Sequence, residues 1–235
     1  MKDRARIFLD RFTEFEDEIA KIAKRDKSQS VTSNFKELCR HKPGFSRYQK
    51  DVSRIIDLRN MLVHRRDQQG NYLAEPTDAV IEILGGLIRL LSDPPLIRRH
   101  FQPEIREFSA DDDVKSVLRY LTTRDFSQAI VRVDGKLNVL SPNTFQRWIA
   151  RHLDDGIMEL TAKVSDMLAF QETGDEIGFL DRKTSVMDAL DYFSDQANLH
   201  ALVLVVTENG RPDQQVLGLV THWDLGKINK MIEAA

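Results

Sequence analysis

Along the first hundred residues apolar side chains recur at spacings of three and four, the period of helices that bury one face. From Arg4 to Lys24 they fall at Ile7, Phe8, Phe12, Phe15, Ile19, Ile22 and Ala23, which predicts one long amphipathic helix. A polar loop from Asp26 to Ser30 follows. A short helix through Glu37 and Leu38 comes next, with Ser33 as its candidate cap and Pro43-Gly44 as its stop. Val52, Ile55, Ile56, Leu58, Leu62 and Val63 mark a third helix over Arg47 to Arg66, and Gln68-Gln69-Gly70-Asn71 breaks the pattern. Pro76 at a helix start and Asp78 in the first turn open a fourth helix, which carries Val80, Ile81, Ile83, Leu84, Leu87, Ile88 and Leu91. Four such stripes on short connections predict an all-α four-helix bundle, which Asp93-Pro94-Pro95 ends.

The period then changes. Short β-branched runs alternate with helix-like runs at Ala129 to Val133, Leu137 to Leu140, Ala201 to Val206 and Val216 to Val220. These segments repeat. Ile105, Phe108, Val114, Leu118, Ala129, Val131 and Val133 match Ile177, Leu180, Val186, Leu190, Ala201, Val203 and Val205 at an offset of 72. Leu137, Ser141 and Thr144 match Leu217, Thr221 and Asp224 at an offset of 80, which places eight extra residues in the loop Glu208 to Gln215. Each copy reads as a lead-in segment, a helix, a strand, a turn, a second strand and a closing helix. The closing helices run from Thr144 to His152 and from Asp224 to Glu233. One copy cannot cover its own sheet, so the two are expected to pack face to face about an internal pseudo-twofold. The expected fold class is α+β in two domains. A helical bundle over residues 1–93 is followed by a connector at 94–103 and an α/β pair, with repeats at 104–155 and 156–235.

Composition narrows the function classes. An apolar content of 41% excludes wholesale disorder. The lone Cys39 excludes a disulfide framework and any thiolate metal cage within one chain. No apolar run approaches the ~20 residues that cross a bilayer, and Met1-Lys2-Asp3-Arg4 opens no apolar signal region. The expectation is a soluble, cytoplasmic chain without membrane partners. The net charge of −3 hides an asymmetry: residues 1–100 carry 20 Lys plus Arg against 15 Asp plus Glu, whereas residues 101–235 carry 14 against 22. Such a split accords with a polyanion partner for the basic half, or simply with two ordinary solvated surfaces.

The strongest local signal is Leu217-Gly218-Leu219-Val220-Thr221-His222-Trp223-Asp224-Leu225. A strand runs into a helix start, where free backbone N–H groups favour a phosphate. Thr221 adds a hydroxyl, and Asp224 a carboxylate at the distance of a ribose diol. The alternative is that both residues only cap the last helix. A tandem pair of units, each ending in Gly, two apolar residues, Ser or Thr, two variable residues and Asp, resembles the CBS domain pair over residues 96–235. The second copy fits throughout. In the first, Asn138 stands for the Gly and Thr144 for the Asp, while Ser141 keeps the hydroxyl. The resemblance implies that the pair binds adenine nucleotides such as AMP, ATP or a related cyclic dinucleotide in clefts between the units. It assigns Thr221 and His222 to phosphate, Asp224 to ribose, and Gly178, Phe179 and His200 to the base. It leaves Ser141 and Thr144 as a degenerate first site. CBS pairs usually dimerise and regulate whatever is fused to them.

In the bundle, Arg59-Asn60 and His64 match an Arg-polar-x-x-x-His pattern on the third helix, with Arg54, Arg65 and Arg66 nearby. A placed His moves protons at neutral pH and an Arg neutralises a pentavalent phosphate, which are the tools of metal-free RNA cleavage. The Arg and His spacing recurs from Arg147 to His152 in what reads as an ordinary helix, so it is unspecific by itself. In context, residues 1–95 resemble the HEPN superfamily of helical ribonuclease and toxin domains. That resemblance implies a homodimer whose paired motifs form one cleft, with Arg59, Asn60 and His64 catalytic and no metal or cofactor required. The alternatives are a non-enzymatic adaptor whose bundle docks a partner or nucleic acid, and a structural His64 paired with Asp67. The remaining features read as structural: His41 to Gly44 as a basic turn, Asp111-Asp112-Asp113 as a helix N-terminus, Trp148 and Trp223 as packing residues, and Cys39 as a small apolar filler.

Overall fold

The computed structural model of the chain describes residues 4–24, 29–99, 101, 104–154, 162–172, 175–194 and 201–234. It divides into two compact units. One comprises Met1–Pro95 with Ser185–Asp191 and Gly226–Ala235, the other Leu96–Thr184 with Tyr192–Leu225.

In the first unit, α1 (Arg4–Ala23) packs on α2 (Val31–His41) and α4 (Asp78–Ser92), and α3 (Gln49–His64) completes the four-helix arrangement. Phe8, Phe12, Phe15 and Ile19 of α1 meet a core built from Leu38, Ile55, Leu62, Leu84 and Leu87, all buried. Arg11 donates across to the Ile81 carbonyl at 2.8 Å. Three helix starts differ from expectation. Ser30, not Ser33, caps α2, because its extended backbone lets Oγ accept the Ser33 N–H at 3.2 Å. Residues Pro43–Tyr48 wind as a 3₁₀ helix that leads with Pro43, so α3 begins at Gln49 rather than Arg47. Thr77 caps α4, which leaves Pro76 one residue outside it. The unit also takes in the start of α8 (Val186–Ser194) and most of α9 (Leu225–Glu233). There Lys42 pairs with Asp188 at 2.6 Å, and Arg47 donates to Asn229 at 2.9 Å.

The second unit holds two three-stranded sheets of equal topology. In one, β1 (Glu107–Ser109) runs parallel to β2 (Ala129–Val133), which is antiparallel to β3 (Lys136–Leu140). In the other, β4 (Glu176–Asp181), β5 (Ala201–Thr207) and β6 (Gly218–Thr221) repeat that order. The helix α5 (Val114–Arg124) joins β1 to β2, and α6 (Pro142–Asp154) follows β3. Ile130 and Val139 of one sheet pack on Val203, Val205 and Leu219 of the other, so the sheets lie face to face. The opposite face of the first sheet, with Phe108, Val131 and Leu140, packs on Val117, Leu121 and Trp148 of its helices. The lead-in segments are used reciprocally. Val114 and Val164 donate to the Ala162 and Asp112 carbonyls, both at 2.9 Å, with Val164 opening α7 (Val164–Leu168). At the matching positions Val186 donates to Pro95 at 2.9 Å and Ile97 to Thr184 at 3.0 Å.

Register corrects the alignment of the repeats. Phe108 pairs with Val131, but Leu180 pairs with Val206, so the first and fourth strands keep the offset of 72 while β2 maps on β5 at 75. Leu140 lies opposite Ala129 and Val220 opposite Leu204, which confirms 75 for β5 and 80 for β6. Three of the eight inserted residues therefore precede β5 and five lie in the following hairpin. The short hairpin of the first copy turns on Asp134 and Gly135, both with positive φ (49° and 78°), the conformation that a two-residue type I′ turn requires.

Candidate functional site

β6 ends at Thr221, and the 3₁₀ turn His222–Asp224 carries the chain into α9. Asp224 folds back on the strand end: its Oδ2 accepts the Thr221 N–H at 2.8 Å and the Thr221 hydroxyl at 3.0 Å. The capping role read from sequence is thus present, and it fixes the carboxylate. Oδ1 accepts no hydrogen bond from the described residues.

A cleft of about 550 Å³ opens at this turn, lined by Leu219, Thr221, Trp223 and Asp224. Its other wall is the segment between α5 and β2, Asp125 to Gln128. Asp125 stands in the left-handed conformation (φ 55°) as the C-cap of α5, and Phe126 donates back to Leu121 at 2.9 Å, which projects this segment to the cleft. Gln128 is only 7% exposed, yet its amide makes no hydrogen bond with a described residue. Trp223, expected to pack, is instead 86% exposed beside the cleft. Trp148 is buried as expected. Among the described residues the lining carries two carboxylates, Asp125 and Asp224, and no Lys, Arg or His. Chemically the cleft offers aromatic faces, an amide and a free carboxylate oxygen, which suit a flat heterocycle and a diol more than a polyanion.

Gly178, Phe179, His222, Ser141 and Thr144 are not among the described residues that line this cleft. Gly178 is enclosed within the second copy: a Cβ there would come within 2.5 Å of both Leu204 Cδ2 and Tyr192 Oη, so packing explains its lack of a side chain. Phe179 packs with the cluster between the sheets. His222 is exposed, its ring against Phe193 with centroids 4.5 Å apart. His200 lies outside the described residues. In the first copy, Ser141 and Thr144 are buried (2% and 0% exposed) and both donate to Asp175 Oδ2, at 3.2 and 3.0 Å. Sequence reading missed Asp125 to Gln128 because a loop carries no periodic signal. It missed Trp223 because its position at a helix start fits packing and exposure alike.

In the helical unit, Arg59, Asn60 and His64 lie near the end of α3. Asn60 and His64 are exposed. The Arg59 guanidinium sits 5.6 Å from the Phe12 ring centroid and donates to Asn60 Oδ1 at 3.3 Å. Asp67 is not paired with His64. It accepts the Gln69 and Asn71 N–H groups at 2.8 and 2.7 Å, and the Asn71 side chain and backbone hold its carboxyl below the usual range. Arg147 pairs with Glu172, and the His152 ring stacks on Trp148, as befits an ordinary helix. Asp113 caps α5 by accepting the Ser116 N–H at 2.6 Å, and burial pushes the Cys39 thiol up. Among the described residues no helix is long and apolar enough to cross a membrane.

No curated protein sequence matches the chain. Among solved structures it is similar to CbpB in complex with c-di-AMP, at 14% identity over 65% of this chain and 95% of that one, with a TM-score of 0.42. CBSX2 in complex with AMP shares 14% identity over 59% and 98% of the respective chains, TM-score 0.39. Protein MJ1225 from Methanocaldococcus jannaschii, a putative archaeal homolog of g-AMPK, shares 10% over 76% and 63%, TM-score 0.42. The CBS domain family model matches residues 175–228, so the stretch that carries Thr221 and Asp224 is a CBS domain.

Proposed function

We propose that the cleft at Thr221 to Asp224 binds an adenine nucleotide and that the chain is a nucleotide-responsive regulator. The observation that carries this reading is a held carboxylate, Asp224, whose second oxygen accepts nothing from the described residues, beside an exposed Trp223 in a stretch that matches the CBS domain, with Gln128 on the opposite wall of the cleft. In this reading Asp224 Oδ1 accepts the ribose hydroxyls and Trp223 stacks on the base. The Gln128 amide pairs with the adenine edge, as amides do with adenine N6 and N7. With Asp125 and Asp224 both facing the ligand, the phosphate turns towards the N–H groups at the start of α9. A monophosphate therefore binds better than ATP. The test is tryptophan emission during titration with AMP, ATP, a cyclic di-adenylate and GMP. AMP should change the emission at the lowest concentration, because Trp223 lies in the cleft. Silence towards every adenine nucleotide at millimolar concentration rejects the proposal.

The output of the helical unit has two readings. Cleavage of RNA by a homodimer is supported by Asn60 and His64 standing exposed on one end of α3 beside Arg59. In that reaction His64 transfers the proton, Arg59 stabilises charge on the phosphate and Asn60 orients either. A non-enzymatic adaptor is supported by Met61 and Val63, exposed by 39% and 40% between those same residues. The deciding assay incubates the purified chain with labelled RNA in EDTA, with and without AMP. Cleavage that His64→Ala and Arg59→Ala both abolish establishes the nuclease, and intact RNA under every condition establishes the adaptor.

A further inference from the structure

The two copies carry equivalent strand ends, but the carboxylate that bonds each end has a different origin. At the end of β6 a hydroxyl and an acid from the same copy, Thr221 and Asp224, form the site. At the equivalent end of β3 the acid is missing and Thr144 replaces it. There the carboxylate comes from Asp175, which accepts the Ser141 and Thr144 hydroxyls on one oxygen and the Glu172 N–H at 3.1 Å on the same atom. Thr144 N–H closes the arrangement by donating to Ser141 Oγ at 3.1 Å. Glu172 secures the segment from outside: its carboxylate takes the Asn143 amide at 3.0 Å and pairs with Arg147.

We infer that Asp175 is an internal ligand of the first copy, its carboxylate filling the place where a bound anion would meet Ser141 and Thr144, so that the chain takes one nucleotide and not two. The physics is direct. The two hydroxyls are bonded to each other and to a negative charge, they are shielded from solvent, and a phosphate arriving there meets Asp175 and Glu172 at close range. Displacing Asp175 strips an anion of three donors before any new bond forms. The inference rests on the nucleotide reading of the second copy, and its test separates the two.

Equilibrium dialysis of the full chain with labelled AMP counts sites. The wild type should hold one per chain, and Thr221→Val with Asp224→Ala should hold none at the same concentration. The double variant Thr144→Asp with Asp175→Ala, which moves the acid back into its own copy and removes the occupant, should hold two. Circular dichroism confirms the fold of each variant. Two sites in the wild type, or one surviving in Thr221→Val with Asp224→Ala, overturns the inference even if the rebuilding variant fails to fold. A folded rebuilding variant that still holds one also overturns it. No binding by the wild type with binding by the rebuilding variant sinks the sensor proposal and upholds Asp175 as the occupant. Absence of binding in both overturns both.

Discussion

At the scale of single residues, the arrangement depends on carboxylates whose surroundings differ. Asp224 and Asp175 are each held by hydroxyl and N–H donors. Asp191 is different. It accepts the Gly44 N–H, but burial pushes its carboxyl from the ordinary value near 3.8 up to about 6, helped by neighbouring Asp188 and opposed by that hydrogen bond, Lys42 and Arg47. The sign follows. A carboxyl that binds its proton more tightly when folded adds stability below the unfolded value, and this is lost as pH rises through about 6. Asp191→Asn keeps the acceptor oxygen and removes the titration. Its melting temperature, compared with wild type by differential scanning fluorimetry, should gain on the wild type between pH 4 and pH 7. Parallel curves for the two proteins would show that Asp191 titrates normally. None of this was legible in the sequence, where Asp191 is one polar position in an amphipathic helix.

At the scale of elements, periodicity located the helices well because their cores follow the three-and-four spacing. The Phe8, Phe12, Phe15 and Ile19 stripe is buried as the pattern requires. Helix starts were harder to read, since Ser30 and Ser33 are chemically equal and only backbone conformation at Ser30 decides between them. The repeat was legible, but the register of β5 was not. The run Val203 to Val206 is apolar throughout, and a shift of three still matches Leu204 and Val206 to Ala129 and Val131. The pairing of Leu180 with Val206 settles it, and that of Val220 with Leu204 agrees. Gly178 shows the same limit: sequence marks it as special, and the structure shows that Leu204 and Tyr192 occupy its side-chain volume. Gly178→Ala should therefore destabilise the chain by about 1–3 kcal/mol through overpacking. Urea unfolding measures this, and a midpoint equal to wild type would mean that the Tyr192 side chain yields freely.

At the scale of the whole molecule, a duplicated α/β unit carries a cleft at the strand end of its second copy and an internally bonded Asp175 at that of its first. The second-copy signature brings Thr221 and Asp224 within four residues of each other, and in the structure the two are hydrogen-bonded. The opposing wall, Asp125 to Gln128, comes from nearly a hundred residues away and is brought there only by the face-to-face packing of the sheets. A ligand bound there stabilises the folded chain by mass action, about 2.7 kcal/mol at a hundredfold excess over Kd. It alters the helical unit only if it prefers one of two states of the molecule. The most direct measurement is calorimetric titration of the intact chain with AMP, beside Asp224→Ala. Loss of charge-assisted hydrogen bonds to the ribose should weaken binding tenfold or more, corresponding to about 1.5–3 kcal/mol. An affinity unchanged by Asp224→Ala in a correctly folded protein would contradict the account.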